Sequence, residues 1–278
     1  MRVVIRGAGD LASGVALRLW RAGMDVVLLD VEKPTAIRRT VAFSEAIVHG
    51  KQTVEDVTAR LATAETAEET LAAGYIPVLV DPEGRSVPKL KPDALVDAIL
   101  AKRNLGTEIR DAPVVIGVGP GFTAGVDCHA VVETMRGHTL GRVIWEGSAI
   151  PNTGIPGLIG GFAGERVLRA PAAGLFHPLR DIGDAVTEGE ILATVEGKPI
   201  IATLTGTLRG ILPEGTEVFP GMKAGDIDPR CQRSHCFTAS DKALAVGGGV
   251  LEAILALTGA LRETGIRRAG GEGEEDHG

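Results

Sequence analysis

Residues 2–20 read Arg-Val-Val-Ile-Arg-Gly-Ala-Gly-Asp-Leu-Ala-Ser-Gly-Val-Ala-Leu-Arg-Leu-Trp, which is an apolar run, a glycine turn and the beginning of a helical pattern. This order is typical of the strand, loop and helix that begin a Rossmann-like sheet. Gly7 and Gly9 permit a tight turn with close backbone approach, and the first N–H groups of the helix form an anion site. The sequence therefore predicts a nucleotide-type pocket at the start of an α/β fold.

The charged residues around this loop do not determine whether it binds a ligand, or which one. A second apolar run ends at Asp30, about twenty residues past the loop, where dinucleotide-binding folds place a carboxylate for a ribose hydroxyl. Arg38 and Arg39 follow at the carboxyl end of that strand, where they could hold an anion or form a solvated helix end. Asp10, in contrast, puts a negative charge beside the place of a diphosphate. The loop is either a cofactor site or a purely structural turn.

A second glycine loop follows another predicted strand, residues 112–118. It contains Gly119, Gly121 and Thr123, whose backbone N–H groups and hydroxyl suit a phosphate or a carboxylate. The loop lacks the lysine of a Walker motif. Because the carboxyl ends of parallel strands meet at one edge of a sheet, we expect the two loops to form one pocket for an anionic small molecule. Residues 1–128 are predicted to be the Rossmann-like domain.

A weak internal repeat lies between residues 166 and 229. An Ala-x-x-x-Gly pattern and a Gly-x-x-Val-x-x-Gly pattern each occur twice, at residues 170–174 and 183–189 and again at residues 202–206 and 215–221. Two such halves resemble the flattened β-barrel of biotinyl and lipoyl carrier domains. A proline follows Lys198 and departs from the carrier pattern, so we interpret the barrel as a structural or docking module. Residues 129–165 are predicted to be a β connection with a glycine/proline-rich loop.

The C-terminal part is predicted to be a helical segment, residues 230–262, followed by a disordered acidic tail at residues 263–278. Ser240 has the side chain of a helix N-cap. The run Gly247-Gly-Gly249 falls inside the helix, where each glycine costs up to about 1 kcal/mol relative to alanine. Such a run indicates tight packing against a neighbouring backbone or a ligand.

Composition and charge exclude several classes of protein. The 278 residues are 44% hydrophobic, which allows the core of one large or two ordinary domains. An aromatic content of 3% and a net charge of −7 argue against nucleic acid and membrane partners. The sequence has no apolar run that could span a bilayer and begins directly with a strand. Its 3 cysteines fit a reducing compartment, so we expect a cytoplasmic protein, and their spacing predicts no metal site.

Six motifs together resemble those of the YqeB family, the accessory proteins of the selenium-dependent molybdenum hydroxylase system. They lie at residues 6–12, 32–39, 118–127, 133–138, 226–230 and 236–243. The first motif is also similar to the glycine turn of xanthine dehydrogenase accessory factors. The resemblance implies a maturation factor for a molybdenum enzyme, acting on the molybdopterin cofactor or its selenium ligand. It implies no particular reaction, so whether the chain is an enzyme stays open.

The candidate residues divide into two groups. The cofactor-binding candidates are Gly7, Gly9, Asp10, Asp30, Arg38, Arg39, Gly119, Gly121 and Thr123, and the candidate catalytic residues are Cys236, Asp241 and Lys242. Cys236 could pass sulfur or selenium if neighbouring cations such as Lys242 lowered the pKa of its thiol. The alternative is that Cys236 is a small buried apolar residue.

Two functional hypotheses follow. In the first, the chain is a carrier that binds a molybdopterin nucleotide, with the barrel as the docking surface for a molybdenum hydroxylase apoenzyme or another maturation protein. In the second, it is an oxidoreductase or transferase that uses NAD(P) at the first loop, although the sequence lacks a convincing acid/base constellation. The first hypothesis is favoured. Homo-oligomerisation is left open.

Overall fold

The computed structural model describes residues 1–154 and 160–260. A mostly parallel sheet is followed by small antiparallel sheets and a long helix, which confirms the predicted α/β class with a β-rich second part. The predicted tail, residues 263–278, lies outside the described residues. No helix in these ranges has the length and apolar character needed to cross a membrane. The helices are α1 (Asp10–Arg21), α2 (Glu45–His49), α3 (Ala67–Ala72), α4 (Val87–Leu90) and α5 (Asp241–Thr258).

The first part of the chain forms a large sheet. Its strands are β1 (Arg2–Arg6), β2 (Asp25–Asp30), β3 (Lys51–Val54), β4 (Val57–Ala62), β5 (Ile76–Val80), β6 (Ala94–Asp97), β7 (Val114–Val118), β8 (Thr123–Ala124), β9 (Ala130–Val132), β10 (Val143–Ile144) and β11 (Gly147–Ser148). All except the β8–β11 pair form one nine-stranded sheet, in the order β10-β9-β7-β6-β1-β2-β5-β4-β3. The apolar strand β1 is parallel to both β2 and β6 and lies near the middle of the sheet. Its apolar residues are buried, as expected for a parallel strand that is covered on both faces.

This sheet differs from the sequence prediction at both edges. The hairpin of β3 and β4 is not predicted, because its strands are partly polar and carry no continuous apolar run. At the other edge, β9 and β10 form a hairpin within residues 129–165, the predicted β connection. It joins the large sheet, since β9 pairs in parallel with β7. The sheet therefore extends beyond residue 128, the predicted end of the Rossmann-like domain.

The second part is a flattened barrel of two four-stranded antiparallel sheets. Its strands are β12 (Val167–Arg169), β13 (Gly174–Pro178), β14 (Ala185–Val186), β15 (Ile191–Val195), β16 (Lys198–Ile201), β17 (Gly206–Ile211), β18 (Glu217–Val218) and β19 (Lys223–Asp228). The short strand β14 of the first repeat pairs with β17 of the second, and β18 of the second pairs with β13 of the first. This reciprocal exchange is the arrangement expected of two repeated halves. Phe176, Leu192 and Leu208 are fully buried in the shared core.

The long helix α5 packs against α1 through small residues. Ser240 caps α5 as predicted, since its hydroxyl accepts the N–H of Ala243 at 3.1 Å. A Cβ at Gly14 would lie 2.5 Å from the Cβ of Ala243, and a Cβ at Gly247 would lie 2.8 Å from the carbonyl oxygen of Gly14. The close packing predicted for the glycine run is thus confirmed. Because α1 follows β1, its amino end lies near the carboxyl edge of the sheet. The first turns of α5 pack beside the first turns of α1, so we infer that the amino end of α5 lies near the same edge.

Candidate functional site

A cleft of about 690 Å³ lies where the large sheet, the barrel and the start of α5 meet. Leu11, from the first turn of α1, and Pro120, from the second glycine loop, both line it. Val167 of β12 contributes the barrel side. One residue next to each glycine loop therefore reaches the cavity, but none of the predicted cofactor-binding residues is among its described lining, and the barrel adds a further wall.

The charged side chains that line the cleft are all cationic. They are Lys102, Arg136, Arg169, Lys223 and Lys242. None of the described residues that line the cleft is acidic. This local excess of positive charge occurs in a chain with a net charge of −7, so it is opposite in sign to the protein as a whole. A concentration of one sign of charge in a cleft attracts ligands of the other sign.

The three lysines of the cleft lack side-chain partners. Within the described ranges, the amine groups of Lys102, Lys223 and Lys242 form no hydrogen bond or ion pair. Burial lowers the pKa of Lys223 although it faces the open cleft, and the pKa of Lys242 is lowered by burial and by the neighbouring Arg136. A charged amine that is desolvated without a partner is unfavourable. An anion bound between the lysines would remove part of that cost.

Asp241, a predicted catalytic residue, positions Arg136. The Arg136 guanidinium donates two hydrogen bonds to the Asp241 carboxylate, at 2.8 and 3.1 Å. This bidentate pairing lowers the pKa of Asp241 to about 2. Asp241 therefore stays ionised at neutral pH, where it is unsuited to act as a general acid. Its neighbour Lys242 is the predicted catalytic residue that lines the cleft.

The first glycine loop is held together by its own side chains. The N–H of Ala8 donates to Asp30 at 2.7 Å, and the N–H of Val31 donates to the same carboxylate at 2.7 Å. Burial raises the pKa of Asp30. Gly7 has a φ of +97°, and a Cβ there would lie 2.7 Å from the Ala98 carbonyl oxygen. Gly7 and Asp30 thus shape and hold the turn, while Gly9 has open space beside it.

Asp10 and the two arginines join the loop to the rest of the chain. Arg38 donates to both oxygens of Asp10 at 3.0 Å and to the carbonyl oxygens of His235 and Thr238 at 2.9 and 3.1 Å. Arg39 donates to the carbonyl oxygen of Ile211 in the barrel at 3.0 Å. These side chains are not among the described residues that line the cleft. They fix the position of the barrel and of the segment before α5.

The second glycine loop is also largely engaged with its own neighbours. The N–H of Gly119 donates to the carbonyl oxygen of Val132 at 2.9 Å. A Cβ at Gly121 would lie 2.7 Å from the backbone of Arg103. The N–H of Thr123 donates to Asp127 at 2.7 Å. The predicted binding residues of this loop therefore form its frame, and Pro120 between them reaches the cleft.

Cys236, a predicted catalytic residue, lies in the barrel core. It is fully buried, its Sγ lies 3.7 Å from the carbonyl oxygen of Leu208, and burial raises the pKa of its thiol. A thiol in such surroundings is a poor nucleophile. This geometry matches the alternative interpretation of Cys236 as a small apolar residue. Cys128 is buried as well, and burial raises its pKa to about 11.

We expect iodoacetamide to modify Cys231 first in the native protein, because Cys231 is the exposed cysteine. Cys128 and Cys236 should react only as fast as local unfolding exposes them. Mass spectrometry of timed samples measures each rate. Modification of Cys236 as fast as Cys231 would contradict this packing and would restore Cys236 as a candidate for chalcogen transfer.

Four of the five cationic residues among the described lining of the cleft were not predicted from the sequence. Lys102 follows β6, Arg136 follows β9, and Lys223 begins β19, so they are far apart in the sequence. The sequence around each of these residues is that of an ordinary surface cation. Arg169 and Lys223 are opposite each other on paired strands, a relation that appears only once the register is known.

A comparison with curated proteins identifies a close homologue. The chain is 56% identical over 256 residues to the Escherichia coli (strain K12) protein named "Uncharacterized protein YqeB". The match covers 92% of this chain and 47% of the relative, so the chain spans about half of the relative's length. No family model matches the chain.

Solved structures give weaker similarities. An aspartoacylase family protein from Mesorhizobium loti is 10% identical, with coverage of 81% of this chain and 83% of that one and a TM-score of 0.26. A succinylglutamate desuccinylase/aspartoacylase from Rhodobacter sphaeroides is 15% identical, with coverage of 81% and 85% and a TM-score of 0.27. Scores this low say nothing about the chemistry of the cleft.

Proposed function

We propose that the cleft binds a phosphorylated pterin cofactor of the molybdopterin type and that the chain acts as a maturation factor for a molybdenum hydroxylase. The observation that carries this proposal is the set of five cationic side chains with no acidic residue among the described lining. The motifs that resemble the molybdenum hydroxylase accessory proteins supply the identity of the cofactor. The client is the hydroxylase apoenzyme or another maturation protein.

The residues of the cleft fit the parts of such a cofactor. Lysine and arginine side chains suit phosphate groups, which accept charge-assisted hydrogen bonds from them. Leu11, Leu100 and Met135 provide an apolar surface against which a flat ring can lie. The volume of about 690 Å³ falls in the ordinary range for small-molecule sites, roughly 300–1,000 Å³.

The cleft favours carrying a cofactor over transferring a chalcogen to it. No cysteine is among the described residues that line it. A pterin cofactor of this class would bring its own dithiolene sulfur atoms, and the protein would supply binding, orientation and protection. The proposed role is therefore delivery of a cofactor.

The hypothesis of an NAD(P)-dependent oxidoreductase has less support. In the first loop, Asp30 already accepts the N–H groups of Ala8 and Val31. The described lining of the cleft contains no carboxylate, histidine or tyrosine, so only its lysines could serve as the acid or base that hydride transfer to a hydroxyl or carbonyl substrate needs.

Chemical labelling of lysine tests the proposal on the full chain. Acetylation with an N-hydroxysuccinimide ester near neutral pH, read by mass spectrometry, should modify Lys223 and Lys242 readily, because a lowered pKa leaves more free amine. A stable phosphorylated pterin should slow both reactions severalfold. Lys51, on the far edge strand β3, should be unaffected and serves as the control.

A second arm of the experiment uses NAD and NADP. Unchanged labelling of Lys223 and Lys242 at high concentrations of the phosphorylated pterin would refute the proposed site. Thermal stabilisation by NAD or NADP in the same samples would then favour the oxidoreductase hypothesis.

A further inference from the structure

Four of the five cations of the cleft form two separate pairs, and Lys102 belongs to neither. The first pair is on the barrel, where Arg169 of β12 and Lys223 of β19 are direct cross-strand partners. The register of β12 and β19 shifts between Leu168 and Arg169, and the side chains of Arg169 and Lys223 both line the cleft. Like charges in this arrangement repel each other. Arg169 also donates to the carbonyl oxygen of Gly221 at 2.8 Å, which fixes its position beside Lys223.

The second pair lies at the start of α5. Lys242 is the second residue of this helix, and Arg136 is fixed beside it by the bidentate bond to Asp241. Arg136 and Lys242 both line the cleft, and the pKa of Lys242 is lowered by burial and by the Arg136 charge. Asp241 neutralises one of the two charges, so this pair keeps one net positive charge.

The two pairs occupy different walls of one cleft. Arg169 and Lys223 belong to the barrel strands β12 and β19, whereas Arg136 follows β9 of the large sheet and Lys242 belongs to α5. Asp10, whose charge acts on both lysines, is paired with Arg38.

We infer that the cleft takes a ligand with two linked phosphoryl groups, one held by Arg169 and Lys223 and the other by Arg136 and Lys242. This inference rests on the proposed function and specifies the dinucleotide form of the cofactor over the monophosphate form. A single phosphate can neutralise one pair and leaves the other uncompensated. A diphosphate can contact both walls. Once its first phosphoryl group is bound, the second binds as an intramolecular step, which raises the overall affinity.

Calorimetric titration of the full chain with inorganic phosphate and inorganic pyrophosphate, at equal ionic strength, tests this inference. Pyrophosphate should bind at least about 100-fold more tightly than phosphate, as expected for two linked contacts. Lys223→Met and Lys242→Met should each reduce this preference to less than about tenfold, because each removes one of the two anchors. Lys51→Met should keep the full preference.

The variants also report on folding. Thermal unfolding of Lys242→Met should match or exceed that of the wild type, since the change removes an unpartnered, half-buried charge. Lys223→Met should unfold close to the wild type, because Lys223 is exposed. Equal affinity for the two anions, or dependence on one lysine alone, would overturn the inference of two phosphoryl groups and leave the anion site intact. Absence of binding by both anions would overturn the inference and the proposed function together.

Discussion

Replacing Gly249 with alanine is expected to destabilise the protein by about 3 kcal/mol, although alanine is the better helix former. A Cβ at this position would lie well inside 3.0 Å of the carbonyl oxygen of Gly141. Gly141 itself has a φ of +79°, and a Cβ there would lie 2.6 Å from the carbonyl oxygen of Ala245. Neither backbone can move away without disturbing the other. Denaturant unfolding measures the loss.

Gly248 provides the matched control in the same helix. No atom lies within 4 Å of the place where its Cβ would be. Gly248→Ala should therefore stabilise the protein, by up to about 1 kcal/mol, through helix propensity alone. Equal effects of Gly248→Ala and Gly249→Ala would show that α5 does not pack on the Gly141 loop as described.

Replacing Arg38 with methionine is expected to destabilise the protein by about 2–3 kcal/mol. Arg38 is 8% exposed, whereas its partner Asp10 is 28% exposed, so the loss should lie below that of a fully buried ion pair, which is about 3–5 kcal/mol. The change also leaves the carbonyl oxygens of His235 and Thr238 without a donor. Because Arg38 joins the loop after β2 to the segment before α5, its removal should also loosen the cleft.

The double variant Asp10→Asn with Arg38→Met separates charge from packing. It should recover part of the stability lost in Arg38→Met, because it removes the carboxylate that is left unpaired. Amide hydrogen exchange of residues 230–240 should stay faster than in the wild type in both variants. A single variant as stable as the wild type would mean that Arg38 does not hold this segment.

Local sequence signals predicted much of the fold. The strand, glycine turn and helix of residues 2–20 depend on local backbone preferences, and Ser240 caps α5 through a contact three residues away. The barrel was predicted from its repeated turns, because each half has the same local sequence pattern. The glycine run indicated close packing, which the neighbouring backbones of Gly14 and Gly141 explain. The β3–β4 hairpin was missed because an edge hairpin needs no long apolar run.

The candidate site was less predictable, because its charges come from distant segments. Leu11 and Pro120 bring the two loop regions to the cleft, but Gly7, Gly119 and Gly121 determine the shape of the turns and are not among the described residues that line it. Lys223 and Arg169 meet through strand register, which the composition of either segment does not show. Lys242 was the predicted site residue that lines the cleft. Its neighbour Asp241 has a positioning role toward Arg136.

The proposed function requires that the cationic cleft binds a phosphorylated small molecule. The most direct test is calorimetric titration of the full chain and of the double variant Lys223→Met with Lys242→Met, using a stable phosphorylated pterin. We expect the wild type to bind it, with affinity that decreases as salt increases, and the double variant to bind at least about 100-fold more weakly. Equal affinity of the two proteins would contradict the account, because the ligand would then bind elsewhere.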